Sequence, residues 1–280
     1  MGDYLRPTRL EEALAALAEK ERSVLAGGTD FYPARVGRPL ADDVLDITGL
    51  ASLKGIRREE GGWRIGCLAS WSDVIAAELP PAFDGLKAAA REVGGVQIQN
   101  AGTLCGNICN ASPAADGVPN LLVLDAMVEL ASAKGERRVA LGEFIVGNRK
   151  TVRRPDELVT SVLVPAPAAS ARSGFAKLGA RRYLVISIVM AAALLEGDAQ
   201  GKVSAARVAV GACSAVASRL ASLEAALHGR PLDARLGEAV TAAHLSPLRP
   251  IDDIRATAAY RQDASLTLLR RLLSELGARA

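Results

Sequence analysis

Aromatic residues are scarce in this chain, at 4%, and its basic residues fall in scattered pairs: Arg57-Arg58, Arg137-Arg138, Arg153-Arg154 and Arg181-Arg182. A nucleic-acid face needs clustered positive charge interleaved with stacking rings, so that class of partner is excluded. Long hydrophobic runs are also missing. The longest, Leu184 to Leu195, has 12 residues with Ser187 inside it, against the roughly 18 that a membrane span requires. It reads as a buried strand or helix. Met1 to Leu10 carries Asp3, Arg6 and Arg9 and no apolar stretch, so a secretory leader is not expected. Cysteine is limited to Cys67, Cys105, Cys109 and Cys213. These are too few and too scattered for a disulfide framework, and a reducing, cytoplasmic setting is the expectation. Nor do they form the C-x-x-C pairs of zinc and iron–sulfur sites, so no metal is expected. His228 and His244 are the only histidines, and both sit in Ala-rich, helix-like surroundings that suit helix ends better than ligation or base catalysis. The chain has no G-x-G-x-x-G after a strand, no phosphate-binding G-x-x-x-x-G-K-[ST] and no G-x-S-x-G nucleophile elbow.

What is present is an ordinary globular composition: 280 residues, half of them apolar, 23% charged, with a net charge of +3. That excludes a disordered or fibrous chain and allows one large domain or two modest ones. Thr8 and Glu11 are spaced as a capping box before an apolar helical face at Leu10, Ala13, Leu14 and Leu17. Strands at Ser23–Ala26 and Asp43–Ile47 follow, then a hairpin over 55–68 around Gly61-Gly62. Ser70 and Asp73 cap a helix that Pro80-Pro81 stops, and a further helix runs from Phe83 to Val93. Met127–Ser132 with Arg138–Leu141 reads as a second hairpin, and Leu158–Val164 as a strand. Pro165 to Arg172 is the best linker. Beyond it the pattern gives strands at Gly174–Gly179, Val185–Leu195 and Val203–Gly211, then helices at Ser218–His228, Leu232–His244 and Ile254–Leu276. The expected fold class is α+β, with a two-lobed N-terminal domain over residues 1–165 (lobes of about 1–50 and 51–165). A sheet-plus-helices domain over 172–280 follows it.

Two glycine-rich turns carry the chemistry. The first is Val24-Leu25-Ala26-Gly27-Gly28-Thr29-Asp30-Phe31. The second, Thr103-Leu104-Cys105-Gly106-Asn107, lies inside Val96–Pro119, a stretch with neither period 2 nor period 3.6 that reads as a long irregular loop. Neither turn contains Lys or Arg. Consecutive backbone N–H groups still form an anion-binding concavity, and glycine lets them approach a ligand closely. Thr29, Thr103, Asn107 and Ser112 add neutral donors, and Asp116 can accept from sugar hydroxyls. A lone Gly-Gly is usually only a strand-to-helix turn; two such turns in one half point to a dinucleotide-like ligand.

Ala-Gly-Gly-Thr-Asp at 26–30, followed about seventy residues later by Thr-Leu-Cys-Gly-Asn-Ile-Cys-Asn-Ala-Ser-Pro-Ala-Ala-Asp, resembles the FAD-binding (medium) subunits of molybdenum hydroxylases, the xanthine dehydrogenase and carbon monoxide dehydrogenase flavoproteins. Ala206–Ala212, Glu224–Gly229 and Asp253–Arg261 resemble that family's C-terminal domain, in matching order. The resemblance implies a vanillyl-alcohol-oxidase-type fold, with FAD held between the two N-terminal lobes and the C-terminal domain. Carried over by position, Val24–Phe31 would hold the diphosphate from one side and Thr103–Asn107 from the other. Asp116 would sit near the ribose or ribityl hydroxyls. Val93, Val159 and Lys177 match further FAD-contacting positions, and Tyr183 would lie close to the flavin ring. One departure stands out: the family's second loop commonly reads Thr-x-Gly-Gly-Asn, and Cys105 replaces its first glycine. Either the Cys105 side chain points away from the ligand, or FAD is held differently.

The resemblance further implies an electron-transfer role, with no catalytic residue of the chain's own. A molybdopterin-binding large subunit and a [2Fe-2S] small subunit would be the partners, in a dimer of heterotrimers, with NAD+ as one acceptor. Two other readings stay open. A self-sufficient flavin oxidoreductase of the same fold would need an acid or base at the flavin, and no histidine lies near either turn. A nucleotide-binding scaffold without flavin would draw on Cys105 alone.

Overall fold

Each of the chain's three main sheets is built around a strand that its neighbours bury. The computed structural model describes residues 2–37 and 41–279. At the N-terminus, β1 (Tyr4–Leu5), α1 (Leu10–Glu19), β2 (Ser23–Leu25) and β3 (Val44–Asp46) form a small parallel sheet in the order β1-β3-β2, with α1 beside it. The capping box expected at Thr8 and Glu11 does not form. Arg9 holds the extended cap position without a side-chain bond, and the Thr8 amide instead donates to Glu12 Oε2 at 3.4 Å. Since the helix begins at Leu10, the Thr8 hydroxyl falls one residue short of the cap.

β4 (Ile56–Glu59) and β5 (Gly62–Gly66) make the expected hairpin. α2 (Trp71–Ala76) starts in a complete capping box: Asp73 N donates to Ser70 Oγ at 3.1 Å and Ser70 N to Asp73 Oδ2 at 2.7 Å. α3 (Asp84–Glu92) follows. The segment 96–119, expected to be an irregular loop, instead holds two short helices, α4 (Val96–Ala101) and α5 (Leu104–Asn110), and the start of a third, α6 (Gly117–Val123), whose later residues the sequence pattern gives as a helix end at 121–126. Each is two turns or fewer, too short for a 3.6-residue period to emerge, and all seven residues of α6 are buried, so tertiary packing rather than amphipathic pattern holds them. Next come β6 (Met127–Ser132), β7 (Gly135–Ala140), α7 (Leu141–Phe144), a small hairpin of β8 (Ile145–Gly147) and β9 (Lys150–Thr151), and β10 (Leu158–Pro165). β10 returns to the centre of an antiparallel sheet ordered β4-β5-β10-β6-β7.

After residues 166–171, β11 (Arg172–Leu178), β12 (Val189–Gly197), β13 (Val203–Gly211) and β14 (Ser218–Arg219) form an antiparallel meander. α8 (Ala221–Leu227) and α9 (Ala258–Gly277) complete the chain. β12 is apolar on both faces because both are covered. Ala192 and Leu194 pack into the core that contains α3 and α6, while Val189, Ala191, Ala193 and Leu195 pack against α9. β12 starts at Val189, not at Val185, since the chain bends through 179–188, with Leu184 in the left-handed region at φ 51°. The helix expected at Leu232–His244 is two 3₁₀ turns, Leu236–Ala239 and Ala242–Leu245. α9 begins only at Ala258, where Thr257 Oγ1 accepts from Tyr260 N at 3.2 Å. Both histidines lie at helix ends: His228 caps α8, and His244 Nδ1 accepts from the Thr241 amide at 3.1 Å. No helix among the described residues is long and apolar enough to cross a membrane.

Candidate functional site

The first turn leaves the parallel sheet at the end of β2 with its backbone donors unspent. The amides of Gly27, Gly28, Thr29 and Asp30 donate to no protein acceptor among the described residues. The next helical bonds begin at Tyr32, whose N–H reaches Gly28 O at 3.2 Å, and at Ala34, whose N–H reaches Asp30 O at 3.1 Å. Gly28 supplies the left-handed backbone (φ 72°) that turns the chain. Gly27 permits a close approach: a Cβ there would lie 1.8 Å from the Ala101 carbonyl oxygen. The turn therefore packs backbone to backbone against the junction of α4 and α5, where Thr29 Oγ1 lies 3.1 Å from the place a Gly102 Cβ would occupy. The two glycine turns singled out in the sequence, 74 positions apart between Thr29 and Thr103, meet at this junction.

The second turn is more self-contained. Thr103 caps α5, its Oγ1 accepting from Gly106 N at 3.0 Å. Leu104 N is taken by Ala69 O at 3.1 Å and Asn107 N by Thr103 O at 3.1 Å. Cys105 N is left with no protein acceptor among the described residues. The Cys105 side chain is buried in the N-terminal core at 2% exposure, with helical backbone and no positive φ. Burial pushes its thiol well above the ordinary range. Asn107 Oδ1 accepts from Gly117 N at 3.3 Å and so ties α5 to the start of α6.

Asp116, just before α6, is buried, and both its oxygens are engaged within the chain. Lys177 Nζ on β11 donates to Oδ2 at 2.7 Å, and Ser187 Oγ donates to Oδ1 at 2.6 Å. Lys177 also reaches the Glu92 carbonyl at 3.3 Å, next to Val93 at the end of α3. Burial pushes the Asp116 carboxyl above its ordinary value, against the opposing pull of the Lys177 charge and the two hydrogen bonds. This pair links the N-terminal elements to the C-terminal sheet.

Val24 and Leu25 lie in β2, leading into the first turn, with Leu25 buried. Phe31 is half-buried, with the Arg35 guanidinium 3.8 Å above its ring. Val159 sits in β10 opposite Leu130, its side chain buried in the core. Tyr183 is 57% exposed in the bend before β12, with the Arg182 guanidinium 5.3 Å from its ring centre. Leu184 and Ile186 are exposed beside it, and Leu184 Cδ2 lies 3.4 Å from where a Gly95 Cβ would be.

Sequence reasoning missed Ser187 and Arg149. Arg149, in the turn between β8 and β9, donates through Nη1 to Asp30 Oδ2 at 2.6 Å and to Asn110 Oδ1 at the end of α5. Its amide donates to Ala111 O at 2.9 Å. No local pattern marks it, because Asp30 and Arg149 are 119 residues apart in the chain.

Comparison with known proteins points the same way over the full length. The model of the FAD binding domain in molybdopterin dehydrogenase matches residues 1–167, and that of the CO dehydrogenase flavoprotein C-terminal domain matches residues 175–276. The chain is 30% identical to the nicotinate dehydrogenase FAD-subunit of Eubacterium barkeri, over 98% of this chain and 95% of that one. It is 29% identical to the carbon monoxide dehydrogenase medium chain of Afipia carboxidovorans, over 99% and 97% of the two chains. Its fold superposes on the crystal structure of a Cu,Mo-CO dehydrogenase with a TM-score of 0.90, at 26% identity and with 100% and 98% of the chains covered.

Proposed function

Because this chain belongs to the family of FAD-binding subunits of molybdopterin dehydrogenases, we propose that it is the FAD-binding electron-transfer subunit of a molybdenum hydroxylase complex. It takes electrons from a [2Fe-2S] small subunit, fed by a molybdopterin-binding large subunit, and passes them to NAD+ or another acceptor. The complex is a dimer of such heterotrimers in the cytoplasm.

The observation that carries this reading is the run of unspent amides from Gly27 to Asp30, packed against the head of α5. Such a donor set fits the diphosphate of FAD, since convergent backbone N–H groups favour an anion without needing a cation in the loop. In this reading Val24 to Phe31 forms one wall of the diphosphate site and Thr103 to Asn107 the other, where Thr103, Cys105 N and Asn107 are the available groups. Lys177 and Ser187 fix Asp116, whose remaining lone pairs would accept from the sugar hydroxyls. Val93 and Val159 would be apolar backing positions. Tyr183, with Leu184 and Ile186 exposed beside it, would cover the flavin ring.

Bound FAD accepts electrons singly and releases them in pairs, which suits the end of a relay. The chain binds and orients it. The two histidines, His228 and His244, are far along the chain from both turns, which favours a relay over a self-sufficient oxidoreductase.

The test is the visible spectrum of the purified chain, with and without added FAD, followed by turnover assays alone and with its two partner subunits. One FAD per chain, with reduction by an organic substrate only in the complete complex, is the expected result. Organic turnover by the chain alone would replace the relay with a self-sufficient enzyme, and no FAD uptake under either condition would leave a scaffold.

A further inference from the structure

A carboxylate inside a turn that is to receive a diphosphate is a contradiction that the sequence leaves unresolved. Asp30 lies within the run of unspent amides, and neither glycine turn contains a lysine or arginine. The like charges of Asp30 and a diphosphate would repel at this range. The nearby Arg35 does not relieve this, since its Nε is bound to Asp42 Oδ2 at 2.7 Å. Lys177 is committed to Asp116.

We propose that Arg149 is a positioning residue that cancels the charge of Asp30 and thereby lets the first turn hold the FAD diphosphate; this rests on the function proposed above. Three observations carry it. The Arg149 Nη1–Asp30 Oδ2 distance is 2.6 Å, so the carboxylate is turned toward the guanidinium. The guanidinium is held in place from the other wall of the site: the same Nη1 donates to Asn110 Oδ1, and the Arg149 amide donates to Ala111 O at 2.9 Å. Finally, Ala111 (φ 48°) is the left-handed cap that ends α5 and Arg149 (φ 58°) the left-handed residue of the β8–β9 turn, so the backbone bond between them sets these two termini side by side and brings the guanidinium to the first turn. The pair is half exposed, at 54% and 49% for the two side chains, so its own contribution to stability is small.

Charge cancellation and a mechanical strap between the two walls make opposite predictions, and a titration of the full-length chain with FAD and with riboflavin separates them. In the charge account, Arg149→Ala weakens FAD about tenfold or more by unmasking Asp30, and leaves riboflavin, which lacks the diphosphate, within about twofold. Asp30→Asn tightens FAD, because the guanidinium then stands unopposed beside the ligand. The double variant returns to within about threefold of wild type, as does Arg149→Lys, which keeps the charge but loses the fork. Circular dichroism and the melting temperature of each apo variant check folding, and Arg149→Gln replaces Arg149→Ala if the latter does not fold. Weaker FAD binding in Asp30→Asn, a double variant as weak as Arg149→Ala, or unchanged binding in Arg149→Ala would overturn the proposal. A wild-type chain that takes up no FAD would instead sink the functional reading on which it rests.

Discussion

At position 105 a thiol stands where the family resemblance led to the expectation of a glycine, and its surroundings accommodate it. Cys105 is the second residue of α5, its backbone is helical, and its side chain turns into the core. The left-handed glycine of the site is Gly28, in the other turn. Cys105→Ala is therefore expected to cost about 1 kcal/mol of stability, as for removal of one buried heavy atom, and to leave FAD affinity within about twofold. Thermal melts and an FAD titration measure both, and a large loss of affinity would put the side chain back in the site. The Asp116–Lys177 pair behaves differently. Lys177→Met strands a buried carboxylate and is expected to destabilise by about 3–5 kcal/mol at neutral pH. Because burial already raises the Asp116 carboxyl above its ordinary 3.8, its ionisation costs stability as pH rises through that raised value. The Lys177→Met penalty should accordingly shrink in acid, which denaturant unfolding at acid and neutral pH would reveal.

At the scale of elements, the strands and hairpins were legible because they announce themselves locally. Gly61-Gly62 marks the turn of β4–β5, and Ser70 with Asp73 marks the start of α2, while β7 begins three residues before the Arg138 expected for it. What was not legible depends on distant partners. α4, α5 and α6 are too short to show a period. β12 shows no alternation because both its faces are covered. Of the site, the two glycine turns and Asp116 stood out by composition, while Arg149 and Ser187 act through partners distant in the chain, Asp30 at 119 residues and Asp116 at 71. A similar long-range contact sets the acid response of the central sheet. Glu129 on β6 is 4% exposed. Burial favours its neutral form, yet Arg64, Ser161 and Arg138 together hold it at about 2 against an ordinary 4.5. A carboxyl lowered in this way contributes stability above pH 4.5 that is lost as pH falls toward about 2. The melting-temperature gap between wild type and Glu129→Gln should thus be widest near neutral pH and close progressively in acid. A gap independent of pH would contradict the assignment.

For the molecule as a whole, β12 and its neighbours face two ways. Ala192 and Leu194 belong to the N-terminal core, and Ala191, Ala193 and Leu195 to the core around α9. The Asp116–Lys177 pair crosses the same boundary. The elements proposed to hold the cofactor are thereby fixed against one another by the chain's own packing, which lowers the ordering cost of binding. Recognition of a diphosphate by the Gly27–Asp30 amides is tested most directly by the affinity of the purified chain for FAD against riboflavin. FAD is expected to bind at least about 100-fold more tightly, a difference of roughly 2.7 kcal/mol. Equal affinities would contradict it.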